Sequence, residues 1–224
     1  MPKEVHIEYR RLILSLIPPS IFLLLIWLVK IVEVIEGADW YHLGIFSGKI
    51  SGLKGILFSP LIHSNFSHLV NNSIPFLVLL TAIFYFYQKV AWRVFFYSYL
   101  ITGIMVWTLA RPSYHIGASG LVYSFAAFLF VSGIIRRNIN LMAISLLVIF
   151  LYGSMIWGIF PYLPDMSWES HLIGFTIGAV LAIIFRHEGP GPTKFISDME
   201  DDDEENETDM SGQEAPPERK TDIN

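Results

Sequence analysis

Three short polar clusters interrupt an otherwise apolar chain of 224 residues, and their residue types suit nucleophilic catalysis. The first is His63-Ser64-Asn65-Phe66-Ser67-His68-Leu69-Val70-Asn71-Asn72, the second Gly117-Ala118-Ser119-Gly120, and the third His171 with Gly174 and Gly178 behind it. Ser119 stands among small residues at the entry to an apolar helix, where its hydroxyl can face a cavity. The unpaired N–H groups of a helix start favour a developing oxyanion. A serine nucleophile needs a base within hydrogen-bond reach, and His171 is the histidine expected at the same depth on another span. No acid is placed to orient it. Asp165 falls in a Pro-rich loop, and Glu169, two residues before His171, takes a different helical face. The residues therefore read as a Ser119–His171 dyad. His68 and Asn72, four apart on one helix face, supply donors for the oxyanion. Gly174 and Gly178 form a GxxxG face that lets their helix approach another closely.

Such groups must be positioned by membrane spans. The chain is 53% hydrophobic and 16% charged, against about a quarter charged in a soluble domain. No Asp or Glu occurs between Tyr41 and Pro164, which excludes any mechanism needing two carboxylates in that core. A span needs roughly 20 apolar residues. Six runs qualify: about Leu12–Val32, Leu61–Tyr87, Val94–Ala110, Ser119–Ile135, Leu141–Phe160 and Ser170–Phe185. Pro18-Pro19 is expected to kink the first or mark its start. The first run is too long for a signal-peptide core and lacks a small-residue cleavage site. Residues 33–60 are too apolar for a solvated loop and are expected at the interface.

Lys and Arg fix the orientation. Lys3, Arg10, Arg11, Lys89, Arg93, Arg136, Arg137, Arg186 and Lys194 fall on one side. Lys30, Lys49, Lys54 and Arg111 fall on the other. This asymmetry places both termini in the cytoplasm and all three polar clusters toward the opposite face. The expected organisation is an all-α membrane protein: a cytoplasmic segment 1–11, a six-transmembrane helical bundle over 12–188 carrying the catalytic residues, and a cytoplasmic tail over 189–224. From Ser197 onward the tail carries 12 acidic and 2 basic residues and is expected to be disordered.

Plainer readings compete. Ser119 suits a helix N-cap, and His68 alone suits a buried histidine bonded to a carbonyl. Asn71 reads as a residue bonding across helices, and His42, His115 and His187 as surface residues. His63, His68 and His171 could in principle hold zinc. But the first two are five apart rather than four, and no glutamate base is near, so no metal or other cofactor is expected. Basic residues form no stripe, so nucleic acid is not an expected partner. A channel or transporter would carry charged residues inside its spans, and none is expected there.

With these residues in place, the chain resembles the rhomboid intramembrane serine proteases. The resemblance rests on His63…His68-Leu69-Val70-Asn71-Asn72, on Gly117-Ala118-Ser119-Gly120-Leu121-Val122-Tyr123, and on His171-Leu172-Ile173-Gly174-Phe175-Thr176-Ile177-Gly178. Each motif alone is weak, but their order and six-span layout agree over about 12–186. The resemblance implies a serine-type endopeptidase with Ser119 as nucleophile and His171 as general base. His68, the Asn72 side chain and the Ser119 amide would form the oxyanion hole. Tyr123 would pack on the catalytic histidine, Gly117 would permit close backbone packing beside the nucleophile, and His63 would be structural. It implies transmembrane proteins as substrates, cut within or beside their spans in a lipid bilayer; the plain six-span core without a signal or transit peptide fits a bacterial inner membrane. The rival within the same family is a silent relative that binds membrane helices for quality control. Such relatives lose the serine or the histidine, and this chain keeps both. One departure is that Lys54-Gly55 stands where many members carry a Trp-Arg pair in the first outer loop.

Overall fold

The computed structural model describes residues 3–151, 160 and 167–193. Helix α1 spans Lys3–Glu36, α2 Gly55–Phe58, α3 Phe66–Phe86, α4 Ala91–Leu109, α5 Ser119–Arg136, α6 Ile139–Leu151 and α7 Trp168–Ile184. Each expected run holds one of these helices over most of its described length. By length and composition, Val5–Glu36, Phe66–Phe86 and Ser119–Arg136 can each cross a membrane, and Ile139–Phe150 and Trp168–Ile184 are shorter apolar helices. The protein is a multi-pass helical membrane bundle. The rest of the fifth run, residues 152–159, and Asp165 lie outside the described residues. The chain divides into the units Met1–Gly191 and Pro192–Asn224, and the acidic run of the second also lies outside them.

Two boundaries differ from the sequence expectation. Helix α1 begins at Lys3 and runs unbroken through Pro18 and Pro19. The second span starts at Phe66, because Pro60 belongs to a 3-10 turn over Ser59–Leu61 and the Asn65 side chain caps the helix by accepting from the His68 N–H (2.8 Å).

Helix α5 is the centre of the bundle. Residues 120–129 are all buried, and Phe125, Phe128 and Leu129 have no exposed surface. Most of α1, in contrast, faces outward, with Ile21 63% and Leu24 70% exposed. A hydrophobic outer surface of that kind needs lipid around it.

The segment between α1 and α3 is folded. Strand β1 (Ile45–Phe46) pairs antiparallel with β2 (Tyr114–His115), in the register Ile45↔His115. Gly44, Gly52 and Gly55 are buried where this segment crosses itself. A Cβ on Gly52 would strike the Phe46 backbone, and one on Gly55 would strike Gly44 and Ile45. Lys54-Gly55 thus joins an exposed lysine to a glycine that no larger residue can replace. The apolar rim left outward, Ile50 and Leu57, suits an interfacial seat.

Candidate active site

Ser119 opens α5, and Ala118 before it is fully buried. His171 lies in the second turn of α7 and is 7% exposed. Their side chains meet across the α5–α7 seam, with His171 Nε2 2.8 Å from Ser119 Oγ. This distance is within the reach a general base requires. The Tyr123 ring, one turn along α5, lies nearly parallel to the imidazole at 4.3 Å between centroids and 14°. A flat ring against the imidazole fixes its plane, a task that a carboxylate performs in a triad.

Glycine allows the two helices to approach this closely. A Cβ on Gly174 would run into the Gly120 carbonyl, and one on Gly178 into the Ser124 carbonyl. On the other side, a Cβ on Gly120 would meet the Ser170 carbonyl at 3.2 Å. The seam is therefore backbone against backbone, the close approach that small-xxx-small spacing permits. Gly174 and Gly178 were legible as such a face. Gly120 and Ser124, the surface they meet, were not read as its partner.

Asn72 and His68 converge on the residue two before the serine. Gly117 has φ +99°, a conformation that favours glycine. A Cβ there would sit 2.8 Å from both His68 Cε1 and Nε2 and 3.7 Å from Asn72 Nδ2. Asn72 is buried, and its Nδ2 has no hydrogen-bond partner among the described residues. An unspent buried donor is costly unless something else is to receive it. His68 Nδ1 lies 3.3 Å from the Ser64 hydroxyl, so its Nε2 is the nitrogen turned to the site.

His63 is 1% exposed, and its Nε2 accepts from the Ala118 N–H at 3.5 Å. Burial first, and then the neighbouring His68, push its imidazole down to about 3. A cavity of about 30 Å³ lies behind Ser119, bounded by Ser59, Thr102, His115, Gly117, Gly120 and Ser170. Its walls are mostly apolar, from Ile45, Ile56, Val106 and Leu121 among others, and it has room for about one water molecule.

Several sequence expectations are corrected. His115 is buried at 2% exposure, because β2 pairing turns its side chain inward; His42 and His187 are exposed as expected. Asn71 is exposed and makes no cross-helix bond among the described residues. Charge does occur inside a span: Lys30 and Glu33 pair at 2.8 Å within α1, both buried. Lys30 also donates to the His63 carbonyl (2.9 Å) and the Ser64 carbonyl (3.3 Å), while Glu33 accepts from the Trp40 N–H (3.1 Å). Lys30 is a structural tie here rather than a surface topology charge. Arg136, expected only as an anchor, donates to the Pro190 and Arg186 carbonyls and holds the turn after α7.

A bundle of this kind with these groups at one end of its central helix defines a class, and comparison with known proteins agrees. Residues 51–188 match the Rhomboid domain family. The chain belongs to the rhomboid family. Uncharacterized proteins of Mycobacterium bovis and Mycobacterium tuberculosis are each 34% identical over 177 residues, covering 73% of this chain and 72% of theirs. One of Mycobacterium leprae is 33% identical over 180 residues, covering 73% and 68%. No solved structure matches significantly.

Proposed function

We propose that this chain is an intramembrane serine endopeptidase that cleaves other membrane proteins within or beside their transmembrane segments. The observation that carries the reading is the 2.8 Å Ser119–His171 contact under the stacked Tyr123 ring. The Ser119 hydroxyl attacks the scissile carbonyl while His171 Nε2 takes its proton. The tetrahedral oxyanion is received by the Asn72 amide, the His68 imidazole and the Ser119 N–H. His171 then protonates the leaving amine, and water, activated by the same imidazole, hydrolyses the acyl-enzyme. The roles given to Gly117 and His63 are to let His68 and Asn72 close on this position and to hold the Ala118 amide beside it. The residues call for no metal or organic cofactor. The site lies at the end of α5 where α7 begins, and a bacterial inner membrane with cytoplasmic ends is the setting that fits the charge asymmetry.

The deciding experiment is cleavage of a single-span reporter carrying helix-weakening residues, in liposomes. Wild type is expected to cut, with Ser119→Ala and His171→Ala folded but silent. Equal cutting by all three would sink the dyad. If none cuts while wild type binds the reporter, the silent helix-binding reading takes its place.

A further inference from the structure

A second tie joins the two elements that carry the dyad. Arg111 Nε lies 3.3 Å from Glu169 Oε1, and the Glu169 side chain is 8% exposed against 37% for Arg111. Glu169 sits in the first turn of α7, two residues before His171. In that turn the Ser167 carbonyl accepts from the Ser170 N–H at 3.0 Å and from the His171 N–H at 3.4 Å, while the Ser167 side chain makes no capping bond. Arg111 begins the loop that delivers Ser119. Its carbonyl accepts from the Ser113 N–H at 2.8 Å and lies 3.2 Å from His115 Nε2, so its backbone is held. His115 is in turn locked by pairing with Ile45. The loop over 111–119 and the start of α7 thus meet at Arg111–Glu169 as well as at Ser119–His171.

From this geometry we propose that Glu169, clasped by Arg111, is a positioning residue that sets the first turn of α7 and so the approach of His171 to Ser119. The proposal rests on the hydrolase reading above. The plane of His171 is set by the Tyr123 ring, and its height over Ser119 by where α7 begins. Gly174 and Gly178 fix that helix from below. The Arg111–Glu169 pair fixes it from above. Neither residue contacts substrate or moves a proton, and misplacement of a base by about 1 Å is enough to cost up to roughly a hundredfold in rate.

The test uses full-length protein in micelles and three readouts: labelling of Ser119 by a fluorophosphonate, kcat and KM on the reporter, and the unfolding midpoint. Glu169→Gln and Arg111→Gln are each expected to slow labelling and kcat about tenfold or more, with KM and midpoint little changed. Arg111→Lys, which keeps the charge, recovers most of the rate. The double variant is no slower than either single one, because one tie is lost in all three. Wild-type labelling rates in both Gln variants overturn the proposal, as does a loss that only tracks unfolding. If Glu169→Gln fails to fold, Arg111→Gln, cut at the exposed end, decides. Should wild type fail to label, or Ser119→Ala label equally, the hydrolase reading falls and takes this one with it. Normal dyad behaviour beside unaffected Gln variants removes only the positioning role.

Discussion

Helix α7 and helix α1 both pack on the bundle, and they do so by opposite means. The α5–α7 seam has almost no side chains in it. Gly174 and Gly178 press on the carbonyls of Gly120 and Ser124, and the dyad sits at the end of this contact. Helix α1 is held by a ladder of separate side-chain contacts. Arg11 donates to the Tyr85 carbonyl (2.7 and 3.0 Å) at one end. Phe22 stacks on Phe76 (5.2 Å) and Trp27 Nε1 donates to Ser73 Oγ (3.1 Å) in the middle, and Lys30–Glu33 closes the other end. Backbone contact cannot relax by changing a rotamer, so it suits a distance that chemistry requires. A ladder of side chains can lose or exchange a rung and remain a ladder.

The largest expected effect comes from inserting a side chain into the seam. Gly178→Val places carbon against the Ser124 carbonyl, which is backbone and cannot move aside. Overpacking costs about 3 kcal/mol, and here more because two helices must part. Loss of the folded fraction in a denaturant titration, with loss of Ser119 labelling, is the expected result. The matched substitution on α1, Leu24→Val at a 70% exposed position, should change neither. Equal tolerance at both places would erase the contrast between the regions.

Next in size is Lys30→Met, which leaves Glu33 buried with its charge unpaired and two carbonyls without their donor. Breaking a buried pair from one side costs about 3 kcal/mol. The sharper test is the double variant Lys30→Met/Glu33→Leu, in which no charge remains. It should regain most of the lost stability, since an apolar pair often replaces a buried ion pair at little cost. No second substitution should rescue Gly178→Val. Smaller again is Trp27→Phe, which removes one hydrogen bond to Ser73 and is expected to cost about 1 kcal/mol, read from the same titration.

The two regions were also unequally legible in the sequence. Hydropathy gave the spans, and the spacing of Gly174 and Gly178 gave one side of the seam, because both signals are local. The ladder was misread at Lys30. A lysine near the end of an apolar run looks the same whether it snorkels to water or turns inward, and the carbonyls that receive it belong to His63 and Ser64, more than thirty residues away. His115 was placed on the surface for a similar reason. Two-residue strands leave no alternation to read, so the β1–β2 pairing that buries it had no pattern. The sequence puts Glu169 on a different helical face from His171, and its partner Arg111 is legible there only as a topology charge. A charged residue standing alone in a long uncharged stretch, as Arg111 does between Arg93 and Arg136, was the available signal.

The smallest effect concerns His63, where the two regions meet. Lys30 holds its carbonyl from the α1 side, and its ring accepts from the Ala118 N–H on the α5 side. Burial keeps the imidazole neutral, lowering its pKa from 6.5 to about 3, and burial lowers that of His115 as well. The unfolded chain therefore binds protons that the folded one refuses once pH drops below about 6.5, and stability must fall in that direction. The contribution is complete above pH 6.5 and for His63 is lost progressively down to about pH 3. Between pH 7 and 6 the change should be under about 1 kcal/mol per histidine. His63→Gln removes the titrating group, so it should lower stability at pH 7.5 through the lost ring packing but flatten the slope of the unfolding midpoint below pH 6.5. A slope as steep in His63→Gln as in wild type would mean that the acid sensitivity arises elsewhere, with His115 the next position to replace.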